Sequence, residues 1–339
     1  MTHGQFDKSG ELVAAIQRDS GGTFSGFRPA HAFGRIYAGT FTPNAAARTL
    51  SRAAHFGASV PATARFSGDS GNPGKKPSNI AGMAVKFYLP DDTITDLVAV
   101  TLPAFPARTP DDFIDFLEAK TLDSKTGQPD MAKLGAYLSS HPNAAKVVEI
   151  LQSQPALASF AQVSYRPLHA FCFVNAAGEG RWARYHWEPQ AGIAGQPPEE
   201  LAKQPQDYLF NELEGRMQQA PVVFTLELEF AQAGDPLDDP SAFWPEGRER
   251  VTVGHLELVR PITEAQIGDQ AMMHDPTRVT DGIEVSPDDQ IVAARRGAYL
   301  LSVAQRSGGW QQKSPVLAEY ASSRPVGAGK GRFDHGEAA

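Results

Sequence analysis

Sulfur is scarce in this chain of 339 residues, which has one cysteine, Cys172, and six methionines. A lone cysteine forms no intrachain disulfide and no cysteine-paired zinc cage. Placed within Ala170-Phe171-Cys172-Phe173-Val174, it reads as a small, inert core residue. Long apolar runs are missing as well, none approaching the ~20 residues of a membrane-spanning helix. The opening residues, Met1 to Lys8, lack the basic start and the apolar stretch of about 7–15 residues that mark a secretory leader. Cytoplasmic residence is therefore the expectation, with the periplasm the alternative only if a leader has already been removed.

Clustered positive charge is absent too. Lys and Arg number 31 against 39 Asp and Glu, for a net charge of -8, and they are scattered. Phosphate backbones demand a concentrated basic surface, so neither nucleic acid nor membrane is an expected partner. The histidines form no HExxH pair, and the chain has no Walker loop, no GxGxxG opening a helix and no GxSxG elbow. The common zinc, nucleotide and serine-hydrolase chemistries drop out with them.

What is present reads as one globular α+β domain over residues 1–325, followed by a glycine-rich tail, 326–339, expected to be flexible. No internal repeat is visible. Eight strands are predicted from β-branched and aromatic content between turn-rich borders: 33–42, 62–67, 81–89, 94–101, 169–175, 182–188, 222–230 and 251–260. Helices intervene. Thr109-Pro110-Asp111-Asp112 supplies an N-cap, a first-turn proline and two acids, with Phe113, Phe116, Leu117 and Lys120 at helical spacing behind it. Further helical segments are predicted at 130–140, 143–152 and 199–217. Ser286-Pro287-Asp288-Asp289 predicts the start of a last helix, with Ser286 as N-cap and Gly308-Gly309 as its stop.

Along that last helix Arg295, Tyr299, Ser302 and Arg306 fall on one stripe, spaced by four, three and four. Periodicity alone allows a solvated face. The opposite side, Ala294, Gly297, Ala298, Leu301 and Ala304, is small rather than bulky, which suits a helix packed on several sides. Two other polar groups stand out: Arg28-Pro29-Ala30-His31 before the first strand, and Arg65-Phe66-Ser67 ending the second, where Arg65 and Ser67 share a side. Taken singly, each has an ordinary structural reading, as do His55, His141, His169, His186, His255 and His274.

In order, these motifs together with Gly82-Met83-Ala84-Val85-Lys86-Phe87-Tyr88, Asp96-Leu97-Val98 and Arg295-x-x-x-Tyr299 resemble the haem catalases over residues 27–306. The short length and Ala298-Tyr299-Leu300-Leu301-Ser302 are similar to the catalase-related peroxidases. The resemblance implies an eight-stranded antiparallel β-barrel with helical insertions, without the N-terminal arm and C-terminal domain of full catalases. It also implies haem b (iron protoporphyrin IX) as cofactor, with Tyr299 as proximal iron ligand and Arg295 donating to the Tyr299 oxygen. Arg28, Arg65 and Arg306 match the clamp on the haem propionates, His31 the distal acid/base and Ser67 its partner, and Phe113 would pack near the haem. Thr101 stands where catalases carry an asparagine, which implies a looser hold on hydrogen peroxide, and Ala30 stands where they usually carry valine, which implies room for a bulkier hydroperoxide.

The implied function is a peroxidase with weak catalase activity, taking hydrogen peroxide or an organic hydroperoxide and a small organic electron donor. Its expected assembly is a homodimer or monomer rather than the tetramer of full catalases. Two alternatives use the same residues: a haem enzyme that transforms fatty-acid hydroperoxides or oxygenates lipids, and a non-catalytic haem-binding protein.

Overall fold

Alternation of side chains builds the sheet. In the strand Val222–Phe230, Phe224, Leu226, Leu228 and Phe230 are buried while Thr225, Glu227 and Glu229 face outward, as a half-buried strand requires. The computed structural model describes residues 3–77, 79–123, 126–267 and 272–306, with side chains from Lys8 onward. Its strands are β1 (Gly34–Pro43), β2 (Val60–Gly68), β3 (Ala81–Tyr88), β4 (Ile94–Val100), β5 (Ala156–Leu157), β6 (Ala170–Val174), β7 (Gly180–Pro189), β8 (Gly195–Gln196), β9 (Val222–Phe230), β10 (Arg250–Ile262) and β11 (Ile283–Val285). Its helices are α1 (His3–Asp19), α2 (Ala45–Leu50), α3 (Ala54–Gly57), α4 (Pro110–Lys120), α5 (Met131–Ser140), α6 (Pro142–Ser153), α7 (Pro198–Lys203), α8 (Tyr208–Met217), α9 (Glu264–Ile267) and α10 (Gln290–Arg306).

The fold is α+β, and its main sheet is antiparallel and nine-stranded, in the order β11-β6-β7-β9-β10-β1-β2-β3-β4. All eight predicted strands are present. The expected count of eight is corrected by β11, three residues that pair with β6, and by the separate β5–β8 pair. These pieces are too short to carry a periodic signal. Bulges at Ala38/Gly39 and Thr252/Gly254 bend the longest strands and curl the sheet. Its β4 end is drawn toward β7 by two isolated bridges, Val100 to Arg166 and Tyr165 to Trp187. Inside the curl lies one large core that includes Phe41, Phe56, Phe66, Phe87, Phe160 and Trp187.

The other face of β1–β4 is unusual. Antiparallel register places Ile36, Arg65, Ala84 and Val98 in one row, with Gly34, Ser67, Gly82 and Val100 in the next. Polar residues on this face are nevertheless buried: Thr63, Arg65, Ser67, Lys86 and Asp96 are all less than a tenth exposed. A face that is small, polar and out of water is a place for a bound group rather than for solvent.

Helices form the opposite wall. A reciprocal Thr109–Asp112 capping box starts α4, as its sequence predicts. The predicted helix 199–217 is instead two, α7 and α8, because the turn at Gln204-Pro205 breaks it. The last helix begins at Gln290 rather than after Ser286, since Asp289 caps it by accepting from the Val292 backbone N–H at 2.9 Å. The Gly308-Gly309 stop and the tail 326–339 lie outside the described residues. The first helix, α1, packs on α4 and α10, with Leu12 and Val13 against Ala298 and with Ile16, Phe113, Ala294 and Leu301 around them. A Cβ at Gly297 would lie 2.1 Å from Ser9 Oγ, so the small face of α10 is small because α1 covers it. No helix among the described residues is long and apolar enough to cross a membrane.

Candidate active site

His31 sits where the loop after α1 reaches β1, in a left-handed backbone conformation (φ 54°) that side-chain-bearing residues adopt at a cost. Two hydrogen bonds hold it there. Its N–H donates to the Asp69 carbonyl at 3.1 Å, and its own carbonyl accepts from Arg65 Nη2 at 3.0 Å. Nδ1 of its ring lies 2.8 Å from the Gly68 carbonyl and 3.1 Å from Ser67 Oγ. A carbonyl only accepts, so Nδ1 carries the proton and Nε2 keeps a lone pair. The ring rests directly on Gly82, where a Cβ would lie 2.8 Å from Nδ1. Burial, opposed by Asp69 and reinforced by Arg65 and Arg295, pushes the His31 pKa down to about 4, so the ring is a neutral base near pH 7.

Beside this histidine lies a cationic cluster. Arg65 is 6% exposed and donates to the carbonyls of His31 and Ala32, its guanidinium fitting over Gly34, where a Cβ would be 2.5 Å away. Burial, followed by the charges of Arg28 and Arg306, holds Arg65 well below the ordinary arginine range, and Glu264 alone pulls the other way. Arg28 Nη2 donates to the Met272 carbonyl at 2.6 Å and lies 3.7 Å from Glu264 Oε1, while Arg306 Nη2 reaches the same carbonyl at 3.5 Å. Among the described residues, Glu264 is the carboxylate that acts on Arg65 against the charges of Arg28 and Arg306. Carboxylates of a bound ligand suit such a cluster, and haem carries two.

The other wall contains an ordered relay. Arg295 donates from Nε (3.1 Å) and Nη2 (2.6 Å) to the Tyr299 hydroxyl oxygen, and from Nη1 to His169 Nε2 (2.8 Å). Arginine only donates, so His169 accepts at Nε2 and its Nδ1–H donates to Asp289 Oδ2 at 2.6 Å. Both His169 and Asp289 are almost fully buried. Burial lowers the His169 pKa, opposed by Asp289, so His169 serves as a neutral strut. Two donors on one phenol oxygen suit an oxygen that gives an electron pair to a metal. The donor set on both walls thus fits haem: a tyrosine oxygen, a histidine base and arginines for the carboxylates.

The structure brings His31, Ser67, Arg65, Arg28, Arg306, Arg295 and Tyr299 to one region, since Arg295 acts electrostatically on His31 and Arg306 on Arg65. Thr101 is close by in the chain fold but occupied: its Oγ1 accepts from the Ala81 N–H at 3.0 Å and donates to the Asn79 carbonyl at 3.4 Å. Phe113 lies in the α1–α4–α10 contact and meets Phe105 at a tilt, ring centroids 4.6 Å apart. Sequence reasoning passed over His169 and Asp289, which lie 120 positions apart and have no local signature. A cavity of about 520 Å³ between β7, β9 and residues 243–250, lined by Arg184, His186 and Trp244 among others, contains none of the sequence-predicted site residues.

The chain is 38% identical over 302 residues to a catalase-related peroxidase of Mycolicibacterium paratuberculosis, covering 88% of this chain and 94% of the relative. It is 33% identical over 306 residues to another of that name from Synechococcus elongatus, with 88% of each covered. Solved structures of a bacterial and a fungal catalase share the fold, with TM-scores of 0.74 and 0.73 at 24% and 22% identity. These matches cover 88% and 87% of this chain but 60% and 62% of the catalases, so the chain spans about three-fifths of their length. The pattern that defines the catalase family extends over residues 27–334, from the segment leading into His31 past the Tyr299 helix, and this chain belongs to that family.

Proposed function

We propose that the protein is a haem b peroxidase that reduces hydrogen peroxide or an organic hydroperoxide at the expense of a small organic electron donor, with weak catalase activity. The observation that carries this reading is the gathering in one region of a neutral histidine base, His31, an arginine-supported tyrosine, Tyr299, whose Arg295 acts on that histidine, and a buried arginine cluster. Tyr299 would ligate the iron, Arg28, Arg65 and Arg306 would hold the propionates, and Phe113 would support the helix wall. Haem, when bound, supplies the two-electron chemistry that breaks the O–O bond and is restored by the donor.

The proton work falls to the protein. Reduction of ROOH to ROH and water consumes two electrons and two protons, and the peroxide's own proton must move from one oxygen to the other as the bond breaks. His31 Nε2 takes it and returns it, while the Gly68 carbonyl and Ser67 hold Nδ1–H and keep the ring from rotating. Thr101 cannot present a spare donor to the second peroxide oxygen while its hydroxyl is bonded to Ala81 and Asn79. That supports slow disproportionation, which needs a second peroxide held firmly, and favours donor oxidation.

The test is the absorption spectrum of the purified protein before and after hydrogen peroxide, with His31→Ala beside it. The expected result is a high-spin ferric Soret band that shifts with peroxide in the wild type, and in His31→Ala a retained band with little response. A chain that stays colourless after reconstitution with haem overturns the reading.

A further inference from the structure

One buried polar atom near the arginine cluster has no partner. His274 is 8% exposed, and its Nε2 makes no hydrogen bond. The main chain on both sides of it is pinned to β3 and β4. Lys86 Nζ donates to the Met273 carbonyl and to Asp96 Oδ1, each at 2.9 Å. On the other side the Asp275 N–H donates to Asp96 Oδ2 at 2.8 Å, Arg278 Nη1 meets the same oxygen at 3.0 Å, and Thr95 Oγ1 donates to the Arg278 carbonyl at 2.8 Å. Two residues earlier, the Met272 carbonyl takes Arg28 and Arg306, so His274 borders the cluster itself.

The charges around the ring decide what can meet that nitrogen. Besides burial, the groups that act on His274 are Lys86, Arg28, Arg65 and Arg278, all cations, and together they hold its pKa well below the ordinary histidine value. The ring is neutral, and none of these cations reaches its Nε2 with a hydrogen bond, so that edge is left for another group. A carboxylate fits. It would satisfy the nitrogen and offset the buried charge of Arg65 at the same time, and buried polar atoms of this kind are seldom left unsatisfied. Haem held as proposed above, with its propionates at Arg28, Arg65 and Arg306, would bring carboxylates to this side of the site.

We propose that His274 is a further propionate-binding residue, its Nε2–H donating to the haem carboxylate held by Arg28 and Arg65. The inference rests on the haem reading above. If it holds, the neutral tautomer has its proton on Nε2, and the ring fixes one propionate by direction where the arginines fix it by charge.

The experiment compares wild type, His274→Phe and His274→Gln loaded with haem, measuring haem loss to excess apomyoglobin and the ferric/ferrous midpoint potential. Loss from His274→Phe is expected to be faster by roughly tenfold or more, the size of a charge-assisted hydrogen bond, with a shifted potential. His274→Gln, which keeps a donor, is expected within threefold of wild type. Equal loss rates and potentials in wild type and His274→Phe overturn the proposal. Should His274→Phe fail to fold, wild type labelled with 15N-histidine and filled with diamagnetic zinc protoporphyrin IX, which has the same carboxylates, decides. A proton on His274 Nε2 supports the proposal and one on Nδ1 alone overturns it. A wild type that takes up no haem removes the parent reading as well, whereas haem held equally by wild type and His274→Phe removes only this one.

Discussion

Gly82→Ala acts on the positioning of His31 and of its partner Ser67, whose Oγ lies 3.1 Å from the new carbon, and leaves the arginine cluster and Tyr299 alone. The glycine lies in regular strand β3, so the backbone accepts alanine, and the new methyl points at the imidazole. Its carbon would sit 2.8 Å from Nδ1 and 2.9 Å from Cε1, against the 3.4 Å at which ordinary contact begins, so the ring must recede by about 0.6 Å. The 2.8 Å hydrogen bond to the Gly68 carbonyl opposes that movement, and one of the two contacts gives way. Displacements near 1 Å at a reacting group cost about a hundredfold in rate, so the peroxide-induced Soret change in stopped flow should slow by roughly 30- to 100-fold. Overpacking should lower stability by only about 1–2 kcal/mol, and haem content should remain that of wild type, because no propionate or iron ligand is touched. A variant with full haem content and a rate within threefold of wild type would refute the placement of the His31 ring on Gly82.

Other perturbations address the remaining parts. Tyr299→Phe removes one oxygen and should keep the far-ultraviolet circular dichroism while haem affinity drops by more than ~100-fold; an unchanged spectrum would remove Tyr299 from the iron. His169→Leu leaves Asp289 buried with the Val292 N–H but without its histidine, and should cost about 3 kcal/mol in urea unfolding, much of it recovered in His169→Leu/Asp289→Leu. Because His31 stays neutral down to about pH 4, the rate with peroxide should be level from neutrality and fall about tenfold per unit below that point, whereas a midpoint near 6.5 would mean a solvated ring. His55 is packed between Phe41, Phe56 and Phe87 with its Nδ1 unpartnered, and burial lowers its pKa to about 3. The unfolded chain therefore takes up a proton near pH 6.5 that the folded chain refuses, so this contribution to stability is whole above 6.5 and erodes toward pH 3. By pH 4.5 the loss should reach about 2–3 kcal/mol, and His55→Phe should abolish it; equal acid sensitivity in both proteins would count against the core placement of His55.

Strand β9 was legible from its two-residue alternation between Val222 and Phe230, and the other long strands, several buried on both faces, from β-branched and aromatic content between turn-rich borders. The α4 start was legible because a capping box is entirely local. The start of α10 was not, since Asp289 is recruited there by His169, a residue that no window around the helix contains. Arg65 and Ser67 could be placed on one side of a strand, but that side being buried depends on register with β1 and β3. The role of α1 escaped because its apolar stripe is short, Leu12, Val13 and Ile16, and its meaning lies in the small residues of a helix nearly 290 positions later.

That last contact sets an order of assembly. Helix α1 is the first described element to be synthesised and α10 the last, and each covers the other with Ser9 seated against Gly297. The sheet can pair strand by strand as the chain is made, yet the helix carrying Tyr299, Arg295 and Arg306 follows every one of those strands. On the proposed haem reading, a chain made only as far as the sheet would offer Arg28 and Arg65 to the cofactor but no tyrosine with which to keep it, so capture would wait for α10 to dock on α1.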